Sequence, residues 1–190
     1  MIIIRKDKLE LVDPNSEIMR TPLKEFDFSE HAQQDIDMLV NVLKYKMIEL
    51  GGVGLSANQL GLPYRLFVMG IPEYNGAFFN STILRTEGEP ETFKEGCLSY
   101  RGIFMQIKRP PVIFVQFQNS VGEVKQRIFS GLTARVFQHE YEHMQGLDFT
   151  LGVSKLKLKI AQEKYQRNKK RLINQHALAT MKKALVDTTL

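Results

Sequence analysis

The pair His139 and His143, with Glu140 beside the first, constrains this chain more than any other feature. Positions i and i+4 share one face of an α-helix. A helix through Gln138-His139-Glu140-Tyr141-Glu142-His143 therefore turns both imidazoles toward one point. Both rings can then reach one metal ion, and the neighbouring carboxylate can handle protons for a water activated there. The bland alternative is an ordinary pair of surface histidines, because so short a pattern also arises by chance. On the functional reading the fold must deliver a third ligand to this helix, since catalytic sites of this kind use three protein ligands and leave one position open.

Downstream the chain offers no good third ligand. In the extended metalloprotease pattern a Gly and then a third His follow the first pair. Gly146 fits, but Phe149 stands where the His belongs, and few acids follow His143. Upstream lies Cys97, the sole cysteine, in Glu95-Gly96-Cys97-Leu98-Ser99. As a thiolate it would complete a Cys-His-His set; taken alone it reads as a small buried hydrophobe. A single cysteine excludes an internal disulfide and suits a reducing compartment.

Apolar residues at three- and four-residue steps (Ile36, Leu39, Val40, Leu43, Met47, Leu50) predict a helix over 29–50, with Ser29 as its N-cap and Gly51-Gly52-Val53-Gly54 as its stop. Arg65 to Met69, Phe78 to Leu84, Val112 to Gln118 and Val124 to Phe129 read as strands, with 70–76 as a loop and 119–122 as a turn. A helix over 131–145 carries the histidines and stops at Gly146. A long Lys-rich helix runs from Lys155 to about Ala184, with Leu156, Ile160, Leu172 and Ile173 among its apolar positions. This order predicts an α+β fold, with mixed or antiparallel strands packed around a central HExxH helix and a long basic C-terminal helix. The expected division is a catalytic domain over 1–154 and a basic helix and tail over 155–190.

Three segments together resemble the three signatures of the peptide deformylases, in that family's order. They are Gly52-Val53-Gly54-Leu55-Ser56-Ala57-Asn58-Gln59, Glu95-Gly96-Cys97-Leu98-Ser99, and Gln138 to His143. The resemblance implies that Cys97, His139 and His143 hold a metal with one position open to water, and that Glu140 acts as general base and then acid. It also implies that the Gln59 side-chain amide and the Leu98 N–H stabilise the oxyanion. The substrate would be the N-formyl-methionyl end of nascent polypeptides, and formate the product. A primary amide donates without titrating, which suits Gln59 to that role; taken alone it reads as a loop residue bonding nearby backbone. Gly52, Val53, Gly54, Gly96, Leu98 and Val136 are candidate substrate contacts. The glycines would let peptide backbone approach, although a helix stop would need them too. A Cys-His-His set accepts Fe2+, Zn2+, Ni2+ or Co2+, and the resemblance favours Fe2+.

The chain also departs from the family pattern. Glu142 replaces the usual Asp, with Arg109 a candidate partner. Tyr100-Arg101-Gly102 replaces an apolar residue followed by Pro-Gly, and Phe104 stands where some members carry a substrate-binding Arg. Ser56 and Asn58 are further variations.

Charge separates the tail from the rest. From Lys155 onward ten Lys/Arg face two acids, a net +8, which leaves −3 of the total +5 for residues 1–154. Such a run is either a solvated helix face or a contact with an anionic partner, for which the resemblance implies ribosomal RNA. No run of about 18 apolar residues exists to span a membrane, and the start, Met1 to Asp7, lacks a signal-peptide core. A cytoplasmic monomer is expected. Two other readings remain at this point: a metalloprotease cutting internal peptide bonds, and a catalytically silent ribosome-binding homologue.

Overall fold

The computed structural model describes residues 9–187, with side chains as far as Arg171. The reading of Met1 to Asp7 and the side chains of Leu172 and Ile173 lie outside the described residues. Among the described residues there are four α-helices: α1 (Glu17–Arg20), α2 (Gln33–Glu49), α3 (Gly131–Met144) and α4 (Lys155–Asp187). Seven strands accompany them: β1 (Gly54–Ser56), β2 (Leu66–Ile71), β3 (Tyr74–Glu87), β4 (Glu91–Gly96), β5 (Phe104–Arg109), β6 (Val112–Gln118) and β7 (Val124–Ser130). Five strands form one sheet in the order β1-β2-β3-β6-β7, while β4 and β5 pair separately. Every pairing among the described residues is antiparallel, so the α+β architecture takes the antiparallel form.

The sheet is covered where β2 runs through it. Side chains alternate across a strand, and β2 uses the alternation to serve two cores. Leu66 and Val68 join Leu39, Leu43 and Met47 of α2. Phe67, Met69 and Ile71 join Val136, Phe137 and Met144 of α3. Phe137 is wholly buried and meets Phe67 and Phe78 edge to face, with ring centroids 5.1 and 5.3 Å away. Burial of such a ring stabilises by about 2–3 kcal/mol. The HExxH helix is thus seated on the sheet by its apolar face, which turns its histidines toward the β4–β5 side.

A third cluster joins Tyr100, Ile103, Ile107 and Phe149 to Leu158, Ala161 and Tyr165 on α4. The opening turns of α4 therefore pack on the loop that follows Cys97.

Several local expectations are corrected. The helix begins at Gln33 with Ala32 as its N-cap. Ser29 lies instead in a 3-10 turn, where the Asp27 carboxylate accepts from its N–H at 2.8 Å and its hydroxyl at 2.6 Å. Residues 70–76 are not a loop: β2 and β3 run through them and turn at Pro72-Glu73. β4 and β5 had no counterpart in the sequence reading, because β4 is polar and mostly exposed and carries no apolar alternation. Gly146 ends α3 in the left-handed conformation, as expected of a helix stop, with φ +70°. Among the described residues no helix is long and apolar enough to cross a membrane.

Candidate metal centre and catalytic pocket

α3 places His139 and His143 one turn apart, their ring centroids separated by 5.1 Å. Cys97 leaves the end of β4 and heads the short turn Leu98–Tyr100. Its Sγ lies 3.3 Å from His143 Nε2, and the donor atoms of Cys97, His139 and His143 all lie within 4.8 Å of one another. A tetrahedral ion bound at about 2.0–2.3 Å holds its ligands about 3.5 Å apart, so the set fits a small divalent metal. The donor types agree: one soft sulfur and two imidazoles suit a first-row transition metal. Burial, reinforced by the charge of His139, pushes the His143 pKa down to about 3, which keeps this imidazole neutral. Burial also disfavours a charge on His139, but its bonds to Cys97 and Glu95 outweigh this and raise its pKa to about 10. A metal must displace that proton, so acid competes with metal binding.

The second nitrogen of His139 is also held. Its Nδ1 lies 3.2 Å from Glu95 Oε2, which leaves Nε2 for the metal side. Glu95 in turn is clamped by Arg109, with Nε–Oε1 at 2.8 Å and Nη2–Oε2 at 2.9 Å, and by Arg135. The opposite edge of the Arg109 guanidinium takes Glu142 in a second two-point contact, at 2.6 and 2.9 Å. Arg109 is only 4% exposed. The longer Glu142 side chain therefore reaches Arg109 in place of the usual Asp. Sequence reasoning quoted Glu95 without giving it a role; its place two residues before the candidate ligand Cys97 was the available signal.

Burial raises the Glu95 pKa, but the hydrogen bonds from His139 and Arg109 overcome it and bring the value from 4.5 down to about 2. The folded value lies below the unfolded one, so this carboxylate stabilises the fold fully above pH 4.5 and progressively less as pH falls to about 2. Thermal melts followed by circular dichroism from pH 7 to 2 should show Tm falling through that window. Glu95→Gln should start from a lower Tm and fall less steeply across it. Parallel curves would remove Glu95 from the acid response.

Glu140 is buried beside the candidate ligand His139. Burial raises its pKa, opposed in part by the charge of His139 and a bond from Ser56, as suits a carboxyl that both takes and gives a proton. Ser56 Oγ donates to Glu140 Oε2 at 2.9 Å. The Ser56 N–H donates to Gln59 Oε1 at 2.9 Å, which turns the Gln59 NH2 toward Ser99 Oγ (3.0 Å) and Cys97 Sγ (3.5 Å). The Leu98 N–H heads the 98–100 turn, where the first N–H groups have no partner within the turn.

The glycines serve the chain's own side chains. A Cβ on Gly54 would lie 2.5 Å from Glu140 Oε1 and 2.9 Å from Glu140 Cγ, and one on Gly52 would lie 2.7 Å from Leu98 Cδ1. Gly54→Ala should therefore displace the Glu140 carboxylate. A shift of about 1 Å in a reacting group costs about 100-fold in rate, and that fall in kcat is expected with metal content unchanged. Wild-type kcat in this variant would contradict the placement.

Gly52, Val53, Gly54, Gln59, Gly96, Cys97, Leu98, Val136, His139 and Glu140 line one cavity of about 530 Å³. His143 lies beneath it, wholly buried. Val53 stands half exposed at the mouth, whereas Val136 is buried. Arg101 and Phe104 also line this cavity.

A family model for the polypeptide deformylases matches residues 8–159. The chain belongs to the polypeptide deformylase family. The peptide deformylase of Thermotoga petrophila is 36% identical over 135 residues, covering 71% of this chain and 79% of that protein. The Helicobacter pylori enzyme is 35% identical over 162 residues, covering 80% and 89%. Among solved structures, the peptide deformylase of Synechococcus elongatus in complex with actinonin superposes with a TM-score of 0.76. It is 29% identical, over 83% of this chain and 85% of that one. The deformylase of the Vibrio parahaemolyticus bacteriophage VP16T, also with actinonin, gives 0.68 at 28% identity, over 73% and 98%. The deformylase is a hydrolase that removes the N-formyl group from nascent polypeptides. The family is metal-dependent, and Cys97, His139 and His143 form the candidate metal site.

Proposed function

We propose that Cys97, His139 and His143 hold one Fe2+, and that Glu140, Gln59 and Leu98 carry out deformylation beside it. The convergence of three ligand atoms, a buried carboxylate and a primary amide on one cavity supports this reading. When bound, the metal supplies Lewis acidity, polarising a carbonyl and activating water at neutral pH. Glu140 accepts the proton of the attacking water and hands it to the leaving amine of the methionine. The Gln59 amide and the Leu98 N–H donate to the oxygen on which negative charge develops. A formyl carbon bears only hydrogen, so the space among Gly54, Leu98 and Gln59 selects it against larger acyl groups by size. Gly52, Val53, Gly54, Gly96 and Val136 contact the formyl-methionyl segment. Arg101 and Phe104 on the wall set which peptides follow it.

The proposed catalytic unit is residues 1–154, working as a cytoplasmic monomer. In the tail, Lys155, Lys157, Lys159, Lys164, Arg167, Lys169, Lys170 and Arg171 are all exposed. Their charge supports docking of the helix on ribosomal RNA, with affinity that falls as salt rises. Zn2+, Ni2+ or Co2+ can occupy the same donors.

The deciding experiment compares formyl-Met-Ala-Ser with acetyl-Met-Ala-Ser on anaerobically loaded protein. Formate release without acetate release, and with the internal peptide bonds intact, is expected. Cleavage of internal bonds would replace this reading by that of a metalloprotease.

A further inference from the structure

Ser56 sits at the end of β1, wholly buried, 84 residues away from Glu140 in sequence. Two groups to which the reaction assigns separate tasks both touch it. Its hydroxyl lies 2.9 Å from Glu140 Oε2 and 3.1 Å from the Glu140 main-chain carbonyl. Its N–H holds Gln59 Oε1 at 2.9 Å. Nothing in the deformylase chemistry requires a hydroxyl to reach substrate at this position. The hydroxyl is instead bonded to Glu140, the residue proposed to move the proton.

We propose that Ser56 is a positioning residue: its hydroxyl fixes the Glu140 carboxylate against α3, and its N–H orients the Gln59 amide toward the oxyanion. Three observations carry this. A glutamate has three side-chain torsions, and burial alone does not choose among its staggered wells. Gly54 packs closely beside Oε1 and Cγ, so contact on that side and the Ser56 bond to Oε2 on the other fix the carboxylate between them. The hydroxyl carries one proton, and both acceptors within its reach belong to Glu140, Oε2 at 2.9 Å and the main-chain carbonyl at 3.1 Å, so it donates to that residue in either case. A hydrogen bond to a charged group that is replaced by nothing loses about ten- to hundredfold in the step that depends on it. The Ser56 N–H survives any side-chain substitution, but the hydroxyl also accepts from the Gln59 main-chain N–H in a capping box, so the double variant with Glu140→Ala is what isolates the Glu140 half.

The inference rests on the reading of Glu140 as the proton carrier. Wild type, Ser56→Ala, Ser56→Thr, Glu140→Ala and the Ser56→Ala/Glu140→Ala double variant would be loaded with Fe2+ anaerobically. Metal content, kcat and KM for formyl-Met-Ala-Ser would be measured on each, and crystal structures determined of wild type and Ser56→Ala. Ser56→Ala is expected to lose about ten- to hundredfold in kcat, with KM and metal content within about twofold of wild type and Glu140 found in more than one rotamer. Ser56→Thr, which keeps the hydroxyl, should recover most of the rate. The double variant should be no slower than Glu140→Ala, because the hydroxyl acts through that carboxylate. Wild-type kcat in Ser56→Ala beside an inactive Glu140→Ala would overturn the proposal and leave the proton carrier in place. So would a loss confined to KM, a loss of metal, or a further drop in the double variant. Wild-type activity in Glu140→Ala would instead remove the reading beneath it.

Discussion

Glu140→Ala is expected to lower kcat by about 10²–10⁴-fold while the metal stays bound. That range is the contribution of a positioned general acid–base. The carboxylate is placed for this role by three neighbours: Gly54, which leaves it room, Ser56, which holds Oε2, and His139, one residue away on the same helix. It is not among the three donors of the metal cluster, so its removal should spare metal content. KM should change little, because the loss falls on a proton transfer made in the transition state. Parallel measurement of metal content and formate release separates the outcomes. Loss of both together would make Glu140 a ligand or a structural support rather than the proton carrier.

Arg109→Met is expected to destabilise the fold by about 3–5 kcal/mol, because it takes from the buried Glu95 and the partly buried Glu142 the guanidinium they share. Arg109 spans Glu95 and Glu142 with two-point contacts on both sides. Glu95 keeps Arg135 after the substitution, and Glu142, at 31% side-chain exposure, recovers some water. The cost thus falls mainly on the deeper Glu95. For a chain of this size the loss corresponds to a Tm lower by roughly 10 °C. Adding Glu142→Gln should return part of it by removing one of the stranded charges. Thermal melts of the two variants check this, and equal Tm values for wild type and Arg109→Met would contradict it. Activity should fall as well, since Glu95 then loses the clamp through which it orients His139.

How much of this site could be read from the sequence follows from the range of each contact. The histidine pair is local: four residues on one helix fix both rings, so their shared face was legible. Cys97 became a candidate because Phe149 and the few downstream acids removed the alternatives, and the structure brings its Sγ to the pair. The clamp was harder to see. Glu95 and Arg109 are 14 residues apart and Arg109 and Glu142 are 33 apart, and they meet where the β4–β5 hairpin lies against α3. That hairpin carries no apolar alternation in β4, so the element that assembles the clamp had no sequence signal. Gly54 was read as room for peptide backbone or as part of a helix stop, and that the Glu140 side chain packs against it was not legible. Ser56 was read as a harmless variation, because a hydroxyl in a short strand says nothing about a carboxylate 84 residues downstream. The two cores were legible as periodicity in α2 and as apolar runs in β2 and β6. The start of α2 was not, since Asp27 captures Ser29 in a turn of its own.

The most direct test of the account measures metal content and formate release on the same samples of wild type and Cys97→Ser, prepared anaerobically with Fe2+. The account predicts one metal per chain and formate from formyl-Met-Ala-Ser in the wild type, with both lost in the variant. A variant that keeps its metal and releases formate at the wild-type rate would contradict it, and would place the metal outside the Cys97-His139-His143 cluster.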